Sequence, residues 1–232
     1  MKQQLNATDS CMASLAWLEE IGFEFSRDPH VPSKYYEEAS DHMEAVYGIK
    51  PPSVPVYFAE SGLGLFGGAC FLQDEGQSAV ILRVSFKAKE KWLCYHRREL
   101  LAHELCHAGR SNLNSRKYEE VIAYQCSSSR FLRYWGGIFH SHREAYIAIL
   151  QAVFYALTSI LEALLLETLF WRFIPLAVFF CLTIYYMIRH FYVMHQFERA
   201  RYAASEVASV DMSVIYQCDD VQIDRLARQG PE

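Results

Sequence analysis

The chain has 232 residues, 52% of them hydrophobic, and 22 Lys+Arg against 27 Asp+Glu give a net charge of −5. That length allows one domain or one domain with an appendage, and the acidic balance excludes the basic footprint of a nucleic-acid binder. The averages hide a contrast: residues 1–144 read as a soluble sequence, residues 145–197 are nearly all apolar, and residues 198–232 turn polar again.

Thr8-Asp9-Ser10 precedes an amphipathic run from Met12 to Ile21, with Leu15, Leu18 and Ile21 at helical spacing and Gly22 as its stop. Pro32-Ser33 opens a second helix, Lys34 to Val46, ended by Gly48. These make an N-terminal helical segment, residues 1–50. Pro51, Pro52 and Pro55 form a rigid connector. Strands are expected at Val54–Phe58, Ala69–Leu72 and Ala79–Phe86, with a turn at Asp74–Gln77. Gly62, Gly64, Gly67 and Gly68 fit a bulged hairpin. They lack the Gly-Lys-Ser/Thr end of a phosphate loop.

The most informative feature follows: His103-Glu104-Leu105-Cys106-His107, an H-E-x-x-H within a helix-forming stretch. Residues four apart share a helix face, so both imidazoles reach one metal ion, and Glu104 can serve as general base beside it. Gly109 offers a left-handed stop just past the second histidine. Cys106 points off this face and reads as a core thiol. After Arg116 a further helix begins near Lys117 and carries Glu119-Glu120-Val121-Ile122-Ala123-Tyr124.

Ala145 to Leu161 and Phe173 to Ile188 contain no charged residue. With their flanks, each approaches the roughly 20 residues a membrane span needs. Residues 145–197 therefore read as a transmembrane helical hairpin turning near Leu169 to Pro175. Trp171, Tyr185, Tyr186 and Tyr192 would supply the aromatic belt. Arg130, Arg133 and Arg143 precede the hairpin, and Arg189, Arg199 and Arg201 follow it. The positive-inside bias then puts both soluble segments on the cytoplasmic side. His140 and His142 read as interfacial. The N-terminus lacks the apolar core of a signal peptide, and seven cysteines without a C-x-x-C pair read as reduced thiols. Residues 198–232 form a tail with a helical start, a short strand at Ser213–Tyr216, and a disordered end. Residues 1–144 alone are expected to be soluble.

A catalytic zinc site takes three protein ligands, so a third group is needed. A metzincin histidine would fall six residues after His107, where Leu113 stands. A glutamate from the next helix is the alternative, and Glu120 lies at its start. At this point the chain resembles the gluzincin zinc metallopeptidases. In branches such as the HtpX and CaaX-protease type and the ImmA/IrrE type, the third ligand sits in Glu-x-x-Ala followed by Asp or Asn. Glu120-Val121-Ile122-Ala123-Tyr124 matches the glutamate and the alanine and departs at Tyr124. Glu119, next to Glu120 but with Ile122 at i+3, is one rival, and Glu198 is another, since the HtpX type places two membrane helices between H-E-x-x-H and its glutamate.

The resemblance implies an α+β fold: a minimal zincin domain over residues 51–144 with a small mixed or antiparallel sheet, joined to the hairpin. It also implies a Zn2+ cofactor on His103, His107 and Glu120, and Glu104 as base. The strand at Val80–Phe86 would lie along the cleft as an edge. The partners implied are a peptide or protein substrate and the lipid bilayer, and a homo-oligomer is compatible with the apolar faces. Tyr124, Arg110 and His142 are open as oxyanion donors. Loss of Glu120 is expected to cost the metal, while loss of Glu119 or Glu198 is not. The rival reading is a membrane-anchored binding or scaffold protein with a structural or vestigial zinc site.

Overall fold

The computed structural model describes residues 15–64, 66–73, 77–113, 115–165, 173–206 and 211–230. Thr8-Asp9-Ser10, Cys11, Asp74–Gly76 of the expected turn, and Trp171 and Arg172 of the expected hairpin turn lie outside these residues. The fold class is α+β, with a small mixed sheet and two long apolar helices.

Residues 15–20 are helical, and Gly22, at φ 103°, turns the chain out of the helix. Strand β1 (Glu24–His30) follows, where no strand was expected. Helix α1 (Ser33–Tyr47) starts behind Pro32 and stops at Gly48, whose φ of 67° is left-handed, as its sequence signals indicate. Strands β2 (Val56–Ser61), β3 (Gly68–Gln73) and β4 (Gln77–Arg83) complete a sheet of order β1-β2-β4-β3. The β2/β4 pair is parallel and the other two pairs are antiparallel.

Two features of the sheet differ from expectation. The Val80 strand is interior, and the edges are β1 and β3. It also ends at Arg83, and Ser85–Ala88 form a helical turn instead. The continuous apolar run Ala79-Val80-Ile81-Leu82 has its reason here, because both faces of β4 are covered. Val56, Phe58, Val80 and Leu82 face the main core, while Tyr57, Ala59, Ile81 and Ala69 face Leu18, Phe23 and Leu63.

A minimal two-stranded ribbon, β5 (Lys91–Trp92) and β6 (Tyr95–His96), leads into helix α2 (Arg97–Arg110). Nearly every residue of α2 from Glu99 to Cys106 is buried, because α1 covers one side and β3 and β4 another. Gly109 does not stop this helix. It lies inside α2, where an added Cβ would sit 1.9 Å from the Tyr216 hydroxyl. Close packing against a distant segment, rather than a left-handed turn, calls for glycine here.

Helix α3 (Glu119–Ala123) is short and runs into a 3-10 turn, Tyr124–Cys126. Helix α4 (Arg130–Trp135) follows, capped by the Ser129 hydroxyl. The long helices α5 (His142–Leu165) and α6 (Phe173–Ser205) pack against each other, and an ion pair at 2.7 Å joins Glu144 in the first turn of α5 to Arg189 midway along α6. Both are long and apolar enough to cross a membrane. An 18-residue stretch of the first is 0% buried and one of the second 17% buried, which sets them apart from the core helices of a soluble protein.

Helix α6 continues without a break past the apolar run. Its 33 residues span about 50 Å, more than a bilayer core requires. Over the surplus, Val193, Met194, Phe197, Ala200 and Ala204 form a helical stripe buried in the main core. The tail differs from expectation as well. Helix α7 (Asp211–Tyr216) stands where a strand was read, and helix α8 (Asp220–Gln229) where disorder was read. The signal for α8 is a capping box, with Asp219 and Gln222 bonding reciprocally at 2.8 Å. Ile223 and Ala227, one turn apart, bury its inner face. The six described cysteines are all free thiols.

Candidate metal centre

Helix α2 sets His103 and His107 on one face, with ring centroids 4.8 Å apart and their Nε2 atoms 3.2 Å apart. The third group comes from α3. The buried Ala123 leaves room for α3 to approach α2, and Glu120 at its first turn spans the two rings. One carboxylate oxygen lies 3.5 Å from His103 Nε2 and the other 3.5 Å from His107 Nε2. Among the described residues these three side chains form the group able to hold a metal ion, with all donor atoms within 4.8 Å of one another. Ligand bonds of about 2.0–2.2 Å in a tetrahedron put the ligand atoms about 3.3–3.6 Å apart. The two ring nitrogens, 3.2 Å apart, are close to that spacing, and Glu120 caps the pair with one oxygen 3.5 Å from each ring, so the three side chains fit a shared cation.

Glu104 is buried beside this cluster and lines the same cleft without belonging to the converging set. A Cβ at Gly68 would meet Glu104 Cγ at 3.3 Å, so the glycine at the start of β3 lets the edge strand close over Glu104.

The sequence left the support of the ligands open, because Tyr124 replaces the expected Asp or Asn. In the structure the carboxylate on the outer nitrogen of His107 is Glu119. Its Oε1 lies 3.1 Å from His107 Nδ1, and its Oε2 accepts from Arg110 Nε at 2.9 Å. A carboxylate on the far nitrogen of a ligand histidine fixes the ring and its tautomer. Burial alone would raise Glu119, but His107 and Arg110 outweigh it and hold the carboxyl below its ordinary range. Burial likewise disfavours a charged His107. Glu120, Glu119 and Glu104 together overcome it and raise His107 to about 9. Three carboxylates around two imidazoles leave negative charge that a divalent ion would neutralise.

Arg110 is fully buried and committed elsewhere, which removes it as an oxyanion donor. Besides Glu119 it donates to Ser115 Oγ at 2.9 Å and to the carbonyls of Ile215, Tyr216 and Cys218. Tyr124 does stand at the site, edge-on to His103 with centroids 4.5 Å apart. Its hydroxyl hydrogen-bonds Tyr95, a cleft residue that the sequence did not single out, and burial raises both phenols. Gly136 makes this placement possible, since a Cβ there would lie 2.3 Å from the Tyr124 ring.

A cleft of about 1190 Å³ leads to the cluster. One wall is the β3 edge with Phe66, Gly67, Gly68 and Cys70, and the other includes Leu132, Phe139 and His140. His140 thus lines the cleft, whereas the sequence suggested a residue at the bilayer surface. Burial and Arg189 lower its pKa, and its Nε2 has no hydrogen-bond partner among the described residues. Arg143 and Ala145, at the first turn of α5, also line this space, so it opens where the apolar helices begin. The side chain of His142 lies outside what is described. Glu198 sits on α6, is 57% exposed and pairs with Arg201, away from the cluster.

No family model matches the chain, and neither a curated protein nor a solved structure is significantly similar to it.

Proposed function

We propose that the chain is a gluzincin-type zinc metallopeptidase held in a membrane by α5 and α6, with His103, His107 and Glu120 as ligands and Glu104 as general base. The observation that carries this reading is the convergence of two imidazole nitrogens and one carboxylate at the floor of an open cleft. A two-histidine, one-glutamate set is a catalytic zinc donor set, whereas structural sites are closed by four protein ligands. When bound, zinc supplies a Lewis acid that acidifies water and polarises a carbonyl.

The rest is done by the chain's own groups. Glu104 takes the proton of the attacking water and delivers it to the leaving amine. Glu119 holds His107 through Nδ1, which leaves Nε2 as the nitrogen that would bind the metal. The edge of β3 offers unpaired backbone groups along the cleft wall, suited to an extended peptide added as a strand. The Tyr124 and Tyr95 hydroxyls and His140 are the polar groups positioned to meet charge developing on the peptide oxygen. The exposed apolar faces of α5 and α6 support insertion in a bilayer. The arginines flanking them favour a cytoplasmic catalytic side.

The test uses three variants of the full-length protein in detergent. Glu104→Gln should retain zinc while hydrolysis of an unfolded protein falls by at least about 100-fold. Glu120→Ala should lose the metal, and Glu198→Ala should keep both metal and activity. A wild-type protein that takes up zinc but cleaves no polypeptide would overturn the peptidase reading, and loss of zinc in Glu198→Ala alone would move the third ligand to α6.

A further inference from the structure

The loop 115–118 that delivers Glu119 and Glu120 is fastened to α8, about a hundred positions away. Asp220, in the first turn of α8, accepts from four consecutive residues. Its Oδ1 takes the Ser115 hydroxyl at 2.9 Å and the Tyr118 amide at 3.3 Å, and its Oδ2 takes the Arg116 and Lys117 amides at 2.7 and 2.8 Å. One turn on, Asp224 pairs with Lys117 Nζ at 2.7 Å and accepts from the Tyr118 hydroxyl at 2.5 Å. Tyr118 is fully buried and is the residue from which α3 starts.

A second tie runs in parallel. Arg110 clamps Glu119 with its Nε while its other nitrogens hold the carbonyls of Ile215, Tyr216 and Cys218, the link between α7 and α8. In turn α8 lies along the polar end of α6. Arg199 donates to the Gly230 carbonyl at 2.9 Å, and a Cβ at Gly230 would lie 2.4 Å from the Arg199 carbonyl oxygen. Lys117 Nζ also lies 5.1 Å from the centroid of the Tyr192 ring of α6.

We infer that the C-terminal segment is a positioning element of the metal centre: Asp220 sets the loop that presents Glu120, so the ligand set is complete only while α8 is docked on α6. This rests on the metal-centre reading given above, and it adds the part of the chain that controls it. Two of the three ligands are carried by the longer α2, although His107 takes its orienting contact from Glu119 on the supported segment. The third is on a helix of five residues, too short to hold itself. Four hydrogen bonds to one ionised carboxylate are what place it. Because α6 is one unbroken helix from its apolar stretch to Ser205, the docking site for α8 moves with the membrane helix.

The test uses full-length protein in lipid nanodiscs, stripped of metal and titrated with zinc against a chromophoric chelator. Amide exchange over residues 116–122 is measured on the same metal-free samples. Asp220→Ala should weaken zinc binding by about 10- to 100-fold, the range for a group that orients metal ligands, and should speed exchange over 116–122. Asp220→Asn, which keeps one accepting oxygen of two, should fall between it and the wild type. Leu18→Ala, fully buried on the opposite face of the sheet, should lower stability and leave zinc affinity unchanged. The inference is overturned if Asp220→Ala binds zinc as the wild type does, or if Leu18→Ala weakens zinc as much as Asp220→Ala. A wild type without zinc affinity would sink the metal-centre reading alone. Exchange over 116–122 would then still decide whether Asp220 positions the ligand loop.

Discussion

Glu119 is the residue whose role changes most between sequence and structure, and its removal is the most informative perturbation of the centre. From the sequence, Glu119→Ala should spare zinc. In the structure its two oxygens hold His107 Nδ1 at 3.1 Å and Arg110 Nε at 2.9 Å, and the Arg110 side chain is fully buried. Alanine frees the His107 ring, and loss of such a support costs about 10–100-fold in metal affinity. It also strands a buried guanidinium, for which removal of a partner costs about 3–5 kcal/mol. Arg110 keeps its carbonyl acceptors and Ser115, which places the expected loss near the lower end, about 3 kcal/mol. Glu119→Gln should recover only part of either quantity, since an amide has one accepting oxygen for two donors. Zinc competition titration gives the first number, and urea unfolding of the metal-free protein gives the second. Wild-type zinc affinity in Glu119→Ala, with stability reduced as predicted, would refute the role in orienting His107. Wild-type stability would refute the clamp on Arg110.

Three further outcomes are expected. His107 titrates near 9 in the folded metal-free protein, above the ordinary 6.5, so folding binds a proton there. The stability this contributes is complete below about pH 6.5 and is lost as pH rises to about 9, and zinc binding, which displaces the proton, should strengthen over the same window. A flat zinc affinity across that window would show that His107 binds no proton. Gly136→Ala forces a Cβ to within 2.3–2.6 Å of the Tyr124 ring, against His103. It should weaken zinc and cost about 1–3 kcal/mol as an overpacked contact, whereas the double variant Gly136→Ala/Tyr124→Ala should regain most of the affinity. Alkaline carbonate should leave the protein in the membrane fraction, and protease should reach both the N-terminal and C-terminal segments from one side only. Release by carbonate would contradict a membrane-spanning role for α5 and α6.

What was legible in the sequence is what local spacing encodes. The helix of His103 and His107, the Glu120 and Ala123 pair, the α1 boundaries at Pro32 and Gly48, and the two apolar helices all follow from periods of a few residues. What was missed depends on partners far along the chain. Arg110 stays open as an oxyanion donor until its carbonyl acceptors, 105 and more positions away, are known. Gly109 reads as a helix stop until Tyr216 presses on it. Strand β1 was overlooked because it is a bulged edge strand carrying Pro29, tolerated there because only β2 pairs with it. The Val80 strand was read as an edge because sequence order does not reveal that β3 takes the outer place. The capping box at Asp219 and Gln222 is a local helix signal set within a tail whose polar composition points to disorder.

The stripe of α6 that enters the main core bears on how a water-soluble form could be made. Cutting after residue 144 appeared sufficient from the sequence, but it would delete Phe197, Ala200, Ile215 and Ile223 from the core and strip Arg110 of its carbonyl acceptors. Such a fragment would aggregate rather than dissolve. Excision serves better than truncation. Arg189 and Glu144 touch, so the two cut ends of the apolar pair lie side by side. A short Gly/Ser bridge from the start of α5 to the turn of α6 just before Val193 would close the gap at little entropic cost. The excised chain would keep every ligand, the Arg110 clamp and the Asp220 support in one soluble body.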